Sequence, residues 1–390
     1  MSRILVVNCG SSSLKYRLYD RVDTGGSGGA DGSGGPGGSG PVVLGQGVIE
    51  RIGEPDGGPP DHESAVRQVL EGIDRTGLTA VGHRVVHGGE RFAAPTLIDD
   101  EVFAKIRELV PLAPLHNPAN LTGIEVTRQL LPDVPQVAVF DTAFHRTLPE
   151  SASRYAIDSA TADRYGIRRY GFHGTSHAYV SRRTAALLGR AYEETNTITL
   201  HLGNGASACA VAGGRSIATS MGMSPLEGLV MGTRSGDLDP TVLLHLHRSG
   251  GLSVDEIDDL LNHRSGLLGL SGANDMREVL RRRAAGDPAA ELAFEVYCRR
   301  ITFYVGGYLA LLGRLDAITF TAGVGEHAAP VRSAALAGLE HLGVVVDPDR
   351  NAGSGDRLIS PDGAGVAVCV IATNEELEIA RQTASLVAPG

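Results

Sequence analysis

Apolar positions recur along this chain with two periods, and the switch between them marks out the elements. Residues 4–8 (ILVVN) form a short apolar run, and 14–20 (LKYRLYD) alternate Leu14, Tyr16 and Leu18 with polar neighbours, so two strands are predicted. Between them lies Cys9-Gly10-Ser11-Ser12-Ser13, a run of turn formers, and the chain therefore opens with a β-hairpin. A third strand is expected over 42–52. The period then lengthens: Val66, Val69, Leu70 and Ile73 share one face of a helix over 63–76, with Gly77 as its stop. A strand over 80–86 follows, then a helix over 99–110 with Asp99 and Asp100 in its first turn. Next come a helix over 118–131, capped by Asn117 with Pro118 at its first position, and a strand over 134–142. Strands first, then strands alternating with helices, predict an α/β layered domain.

The second half repeats the plan. Residues 197–203 (TITLHLG) and 207–220 read as strands around a Gly203-Asn204-Gly205-Ala206-Ser207 turn. Helices over 254–262 and 289–312, a strand over 317–322, a turn at Gly323-Val324-Gly325-Glu326 and a strand over 366–372 complete it. Two glycine/serine hairpins in equivalent places suggest duplication. At 390 residues the chain also exceeds what one core holds, so two domains and a cleft are expected.

Composition changes this picture in three places. Residues 24–40 contain ten glycines in seventeen positions and cannot bury enough to offset their ordering entropy, which makes them a flexible loop between strands. The GxGxxG spacing at 32–37 falls inside that tract, with no strand before it or helix after it, and so is no dinucleotide fingerprint. A formal charge of −10 argues against a nucleic-acid partner, so an anionic ligand needs a local site. Four scattered cysteines without a CxxC pattern imply reduced thiols. The four apolar residues before Asn8 are too few for a signal peptide or a membrane span, and a cytoplasmic protein is expected.

No GxxxxGK[ST] loop is present, so a phosphate site must use another backbone cradle. The turns at 8–13, 203–207 and 323–325 each follow an apolar strand, and their small residues let backbone N–H groups point at a polyanion. Any one of them could be an ordinary hairpin turn; three together favour the cradle.

The sequences VVNCGSSSLKY (6–16), GHRVVHGGE (82–90), APLHNP (113–118) and FDTAFH (140–145) resemble the signatures of the acetate kinase family. YGFHGTSH (170–177), HLGNGAS (201–207), SPLEGLVMGTRSGDLDP (224–240), GVGEH (323–327) and TNEEL (373–377) follow in that family's order and spacing. The resemblance covers nearly the whole chain. It implies two ribonuclease-H-like domains of the duplicated, actin-like ATPase fold with the active site in the interdomain cleft, and a homodimer. The expected boundaries are 1–145 plus 377–390 for the N-terminal domain, rejoined by the C-terminal helix, and 146–376 for the nucleotide-binding domain.

It further implies transfer of the γ-phosphoryl group of ATP to acetate with Mg²⁺, or Mn²⁺ in its place. Acetate is already ionised at neutral pH and needs no general base, so the chemistry calls for positioning and neutralised charge. By resemblance the catalytic residues are Asp141, His173 and Arg234. Arg84 and His116 lie at the acetate site, with Val86, Leu115, Phe172 and Pro225 around the methyl group. Nucleotide contacts fall to Lys15, to His201, Leu202, Gly203, Asn204 and Gly205, to Asp275, Met276 and Arg277, and to Gly323, Val324, Gly325, Glu326 and His327. Asn8 and Glu375 would hold the metal. One position departs from the family: His327 stands where an Asn is usual, which bears on purine selectivity. A propionate or butyrate kinase would differ only in pocket volume. A nucleotide-driven clamp of the Hsp70 or actin kind would have no use for Arg84, His173 and Arg234.

Overall fold

The computed structural model describes residues 2–10, 12–22, 40–54, 57–114 and 116–388. Most of the glycine tract and Leu115 therefore lie outside the described residues. The chain divides into two compact units, Met1–Arg146 with Asn374–Gly390, and Thr147–Thr373.

The first unit is built on six strands: β1 (Ser2–Cys9), β2 (Leu14–Val22), β3 (Val42–Ile49), β4 (Leu78–Val85), β5 (Thr96–Leu97) and β6 (Gln136–Phe140), in the order β3-β2-β1-β4-β6-β5. The first three form an antiparallel meander, β4 and β6 add in parallel, and β5 returns antiparallel. Ile4, Leu5 and Val6 are all fully buried, as the unbroken apolar run of a central strand requires. One core packs Leu5, Val7, Leu14 and Val81 against Val66, Val69 and Leu70 of helix His62–Gly72. A second gathers Val85, Ile106, Ile124 and Phe140, with Phe92 stacked on Phe140 at 4.4 Å. Helix Glu375–Val387 lies so close to β4 that a Cβ at Gly82 would come within 2.4 Å of Thr383 Oγ1.

The second unit repeats this order. β7 (Asn196–Leu202), β8 (Ala206–Ala212) and β9 (Arg215–Thr219) form the meander, β10 (Ala317–Thr321) and β12 (Ala367–Val370) add in parallel, and β11 (Arg357–Leu358) closes antiparallel on β12. Read outward from its meander the sheet runs β9-β8-β7-β10-β12-β11, the same sequence of roles as in the first unit. The duplication expected from the two hairpins, and the actin-like α/β plan implied by the family resemblance, are thus present. Helices Gly174–Leu187 and Pro288–Leu312 pack on this sheet.

Several local expectations need correcting. The strand expected over 207–220 is two strands, because Gly213 and Gly214, at φ of 52° and 78°, make a tight hairpin turn. The turn expected at 323–326 is the helix Ala322–His327. Asn117 does not cap its helix: His116 holds that place, while the buried Asn117 amide exchanges hydrogen bonds with the His87 backbone at 3.2 Å. Helix His62–Gly72 ends at an extended Ile73, short of Gly77. The helices Gly174–Leu187, Thr241–Arg248 and Met276–Ala284 were not predicted.

Candidate active site

In the first unit the chemistry gathers at the C-terminal ends of β1, β4 and β6. Arg84 is the penultimate residue of β4 and Asp141 follows β6 directly, its N–H bonding Val85 O at 3.0 Å. Parallel pairing therefore sets them side by side: Arg84 Nε donates to Asp141 Oδ2 at 2.9 Å, and Nη2 donates to the same oxygen. Asp141 is 1% exposed, so this is a largely desolvated ion pair. Burial alone would lower the Arg84 pKa, but Asp141 and the nearby Glu375 raise it above its ordinary value, so the guanidinium is charged at any working pH. Its Nη1 has no hydrogen-bond partner among the described residues.

Asn8 is on β1 and pairs with Lys15 across the hairpin. Glu375 opens the C-terminal helix, whose cap Asn374 accepts from Leu377 N, Tyr19 Oη and Arg17 Nη1 at 3.1 Å each. Its Oε1 is buried without a hydrogen-bond partner among the described residues. Burial pushes the carboxyl up to about 7 against the pull of Arg84, and Asp141 and Glu376 push the same way as burial. Two asparagines brace this end of the sheet: Asn117, expected only as a helix cap, and Asn120, for which the sequence suggests no role. Asn120 accepts from Val86 N at 3.1 Å and donates to Cys9 O at 2.7 Å, while Asn117 holds His87. Val86 is 6% exposed.

In the second unit His173 precedes helix Gly174–Leu187 at a φ of 56°, a left-handed conformation that a non-glycine residue holds only when its surroundings fix it. Its ring stacks on His201 at 4.2 Å, and its Nδ1 meets Ser207 Oγ at 2.8 Å. Ser207 also meets His177 Nε2 at 2.8 Å, and His177 Nδ1 meets Thr199 Oγ1 at 2.7 Å. His177 and Ser207 had been read only as motif letters; the i, i+4 spacing of His173 and His177 was the available signal. A Cβ at Gly205 would lie 3.5 Å from Arg234 Nη1 and 3.6 Å from His173 Nε2, so the glycine turn, the arginine and the histidine converge.

Arg234 lies in a long loop and is half-buried. Among the described residues it meets only Pro225 O at 3.4 Å and Met231 Sδ at 3.8 Å, and burial lowers its pKa. No carboxylate among the described residues compensates it. Phe172 is buried beside His173.

The predicted nucleotide residues fall into two groups. His201 pairs with Thr321 across β7 and β10, which sets the turn Gly203–Gly205 beside helix Ala322–His327. Glu326 is turned inward and accepts from Ala322 N at 2.8 Å and Thr373 N at 3.3 Å. Asp275 caps helix Met276–Ala284 and holds Arg277, so its carboxylate is engaged, and Met276 is 3% exposed. Among the described residues no three His, Cys, Asp or Glu side chains form a metal cluster. Among the described residues no helix is long and apolar enough to cross a membrane.

Residues 3–381 match the acetokinase family. The chain is 58% identical to an acetate kinase of Streptomyces avermitilis, covering 99% of this chain and 98% of that protein. Among solved structures it resembles a Porphyromonas gingivalis acetate kinase with a TM-score of 0.89 at 42% identity, covering 99% and 100% of the two chains. A Francisella tularensis propionate kinase follows with 0.88 at 40% identity, covering 98% and 99%. The chain belongs to the acetokinase family, ATP-using phosphotransferases with a carboxyl group as acceptor.

Proposed function

We propose that this chain transfers the γ-phosphoryl group of ATP reversibly to acetate, by direct in-line displacement, giving acetyl phosphate and ADP. The observation that carries the reading is Arg234, a half-buried cation with no carboxylate partner among the described residues, aimed with His173 at a glycine turn. Such a charge is costly until an anion arrives, and a transferring phosphoryl group offers three equatorial oxygens to a planar guanidinium. His173 donates from its ring to the same group. Arg84, held by Asp141 through Nε and Nη2, offers Nη1 to the acetate carboxylate. The acetate oxygen attacks as the anion, so no side chain has to remove a proton.

The donor set fits Mg²⁺. Among the described residues Glu375 Oε1 is buried without a hydrogen-bond partner and the Asn8 side chain has no hydrogen bond. So sparse a set suits an ion that keeps most of its waters, and Mn²⁺ can take its place. When bound, the ion would neutralise phosphate oxygens of ATP. Lys15, His201–Gly205, Asp275–Arg277 and Gly323–His327 are assigned to ATP; for the buried Met276 that means its backbone.

Val86, Phe172 and Pro225 are assigned to the acetate methyl group, with His116 at the carboxylate and Leu115 outside the described residues. Bulky buried Val86 and Phe172 favour acetate over propionate. A homodimer belongs to the same reading, supported by the exposed Leu292, Phe303 and Leu311 of helix Pro288–Leu312. Four free, buried cysteines fit the reducing cytoplasm. Trapping the product with hydroxylamine, under identical ATP and Mg²⁺ and with acetate, propionate or butyrate, tests the reading. Acetyl hydroxamate should form fastest; none from any acid overturns the activity, and a preference for propionate overturns the acceptor.

A further inference from the structure

Arg234 owes its aim to the loop backbone, because its own side-chain contacts are long and few. The loop between β9 and helix Thr241–Arg248 has no regular secondary structure, yet it is closed at a neck. Gly228 N donates to Asp237 Oδ1 at 2.8 Å, and Asp237 N donates to Gly228 O at 3.0 Å. The two sides of the neck run so close that a Cβ at Gly236 would come within 2.5 Å of both Gly228 O and Leu229 O.

The neck is in turn fastened to helix Pro288–Leu312. Tyr304 Oη donates to the second carboxylate oxygen of Asp237 at 2.7 Å. Arg300, one turn earlier, donates to Gly228 O at 3.0 Å and to Asp237 O at 3.2 Å and 3.1 Å, and lies 3.3 Å from Asp237 Oδ2. Burial and the adjacent carboxylate push the Tyr304 phenol above its ordinary range, so it remains a donor. Beyond the neck the loop tip is held by Gly232 N on Asn204 O at 2.9 Å, Thr233 Oγ1 on Asn262 O at 2.8 Å and Ser235 N on Leu261 O at 3.1 Å. The tip contacts fix the loop against its neighbours. The Asp237 neck ties the two sides of the loop to each other and to helix Pro288–Leu312.

We propose that Asp237 is a positioning residue for Arg234, its carboxylate closing the loop and seating it on Tyr304 and Arg300. The proposal rests on the reading that Arg234 binds the transferring phosphoryl group. Asp237 touches neither substrate; its effect on rate passes through the arginine. A small displacement of a preorganised cation costs rate while leaving the remaining substrate contacts intact.

The test is a double-mutant cycle on the full-length enzyme, with kcat and both KM values measured for Asp237→Asn, Tyr304→Phe and Arg234→Ala and for each of the first two combined with the third. Asp237→Asn keeps the shape but sets an amide N–H₂ against either Gly228 N–H or the Tyr304 and Arg300 donors. Its kcat should fall about 10- to 100-fold with KM for ATP within about threefold. Tyr304→Phe, which keeps the ring and removes one hydrogen bond, should lose about 3- to 10-fold. Neither should slow the Arg234→Ala enzyme further. Equal losses with and without Arg234, or wild-type kcat in both single variants, would overturn the positioning role alone. Wild-type turnover in Arg234→Ala would overturn the underlying reading as well. Should Asp237→Asn fail to fold, the Tyr304→Phe arm decides the same question.

Discussion

The two units share one strand order and have put it to opposite electrostatic uses. In the first, the charge at the strand ends is already matched: Arg84 is clamped by the buried Asp141. In the second, the charge is left open: among the described residues the Arg234 side chain bonds only a carbonyl and a thioether, and His173 beside it is held in a left-handed backbone conformation. A matched pair supplies rigid orientation at modest net gain, since much of its attraction is spent on desolvation. An unmatched cation costs stability in the empty protein and returns it when an anion binds. The first arrangement suits a ground-state carboxylate that must be oriented, the second a group whose charge redistributes during transfer.

Replacing each arginine breaks or sharpens this contrast, with the largest effects expected. Arg84→Ala and Arg234→Ala should each lower kcat/KM at least about a hundredfold. Their stabilities should move apart. Without Arg84 the buried Asp141 loses its guanidinium, at a cost of roughly 2 to 4 kcal/mol, whereas removing Arg234 relieves a desolvated charge and should leave the melting temperature unchanged or higher. Thermal unfolding of the two variants side by side measures this. Equal destabilisation would mean that Arg234 has a compensating partner and that the contrast is not real.

Much of this was legible in the sequence because each strand end is written locally. The apolar runs at 4–8 and 197–203, each broken by Gly, Ser or Asn, marked both hairpins, and β1 and β7 carry them. Arg84, Asp141, His173 and Arg234 were found through motifs, and the structure puts the first two in contact and the last two around Gly205. What escaped is non-local. The Asn117 amide faces a strand end thirty residues away, and Asp237 meets a tyrosine 67 residues further on; no spacing rule reaches that far. Helix Gly174–Leu187 was missed because it is buried on nearly every side, which erases the 3.6 period that amphipathic helices display. The Gly323–Glu326 turn was misread for the reverse reason: glycines suggest a turn, but Glu326 folds back to bond the Ala322 N–H and nucleates a helical turn.

The first unit also carries a pH dependence of its own. His83, 2% exposed on β4, donates from Nε2 to Gln136 Oε1 at 2.7 Å, an orientation set by Gln136 Nε2 donating to Val134 O at 3.0 Å. Burial, only partly opposed by that hydrogen bond, lowers its pKa from 6.5 to about 4. Between these values the unfolded chain binds a proton that the folded one refuses, so stability is full above pH 6.5 and falls as the pH drops toward 4. The slope is about 1.4 kcal/mol per pH unit. Denaturant unfolding of the wild type and His83→Gln at pH 7 and pH 5 should differ in pH response by about 2 kcal/mol, the variant being flatter. Parallel responses would mean that His83 is protonated inside the fold.

Acceptor size gives a smaller effect in the first unit. Val86→Ala removes two methyl groups and should narrow the preference for acetate over propionate by about tenfold, since one methylene in an apolar pocket is worth roughly 1 to 3 kcal/mol. The KM for acetate should rise as that for propionate falls. An unchanged ratio in a folded variant would place Val86 in the core alone.

The smallest effect belongs to the second unit and concerns the base. His327 is the last residue of helix Ala322–His327, and its side chain is exposed, so any hydrogen bond it makes to a purine edge competes with water. The helix itself is held firmly from below. The buried Arg332 donates to Gly325 O at 2.8 Å and Glu326 O at 3.0 Å, and bonds Asn351 Oδ1 at 2.6 Å. A fixed backbone ending in a solvated imidazole can bind a purine without reading its edge. Discrimination between ATP and GTP, as a ratio of kcat/KM, should therefore stay below about tenfold. His327→Asn, which restores an amide able to donate and accept at once, should raise that ratio a further two- to fivefold, roughly the worth of one exposed hydrogen bond. Changing Arg332 to Met should do something different: with the helix released, KM should rise for both nucleotides and the ratio should not move. A wild-type preference for ATP beyond about a hundredfold would show that adenine is read by His327 or by the rigid backbone that Arg332 supports.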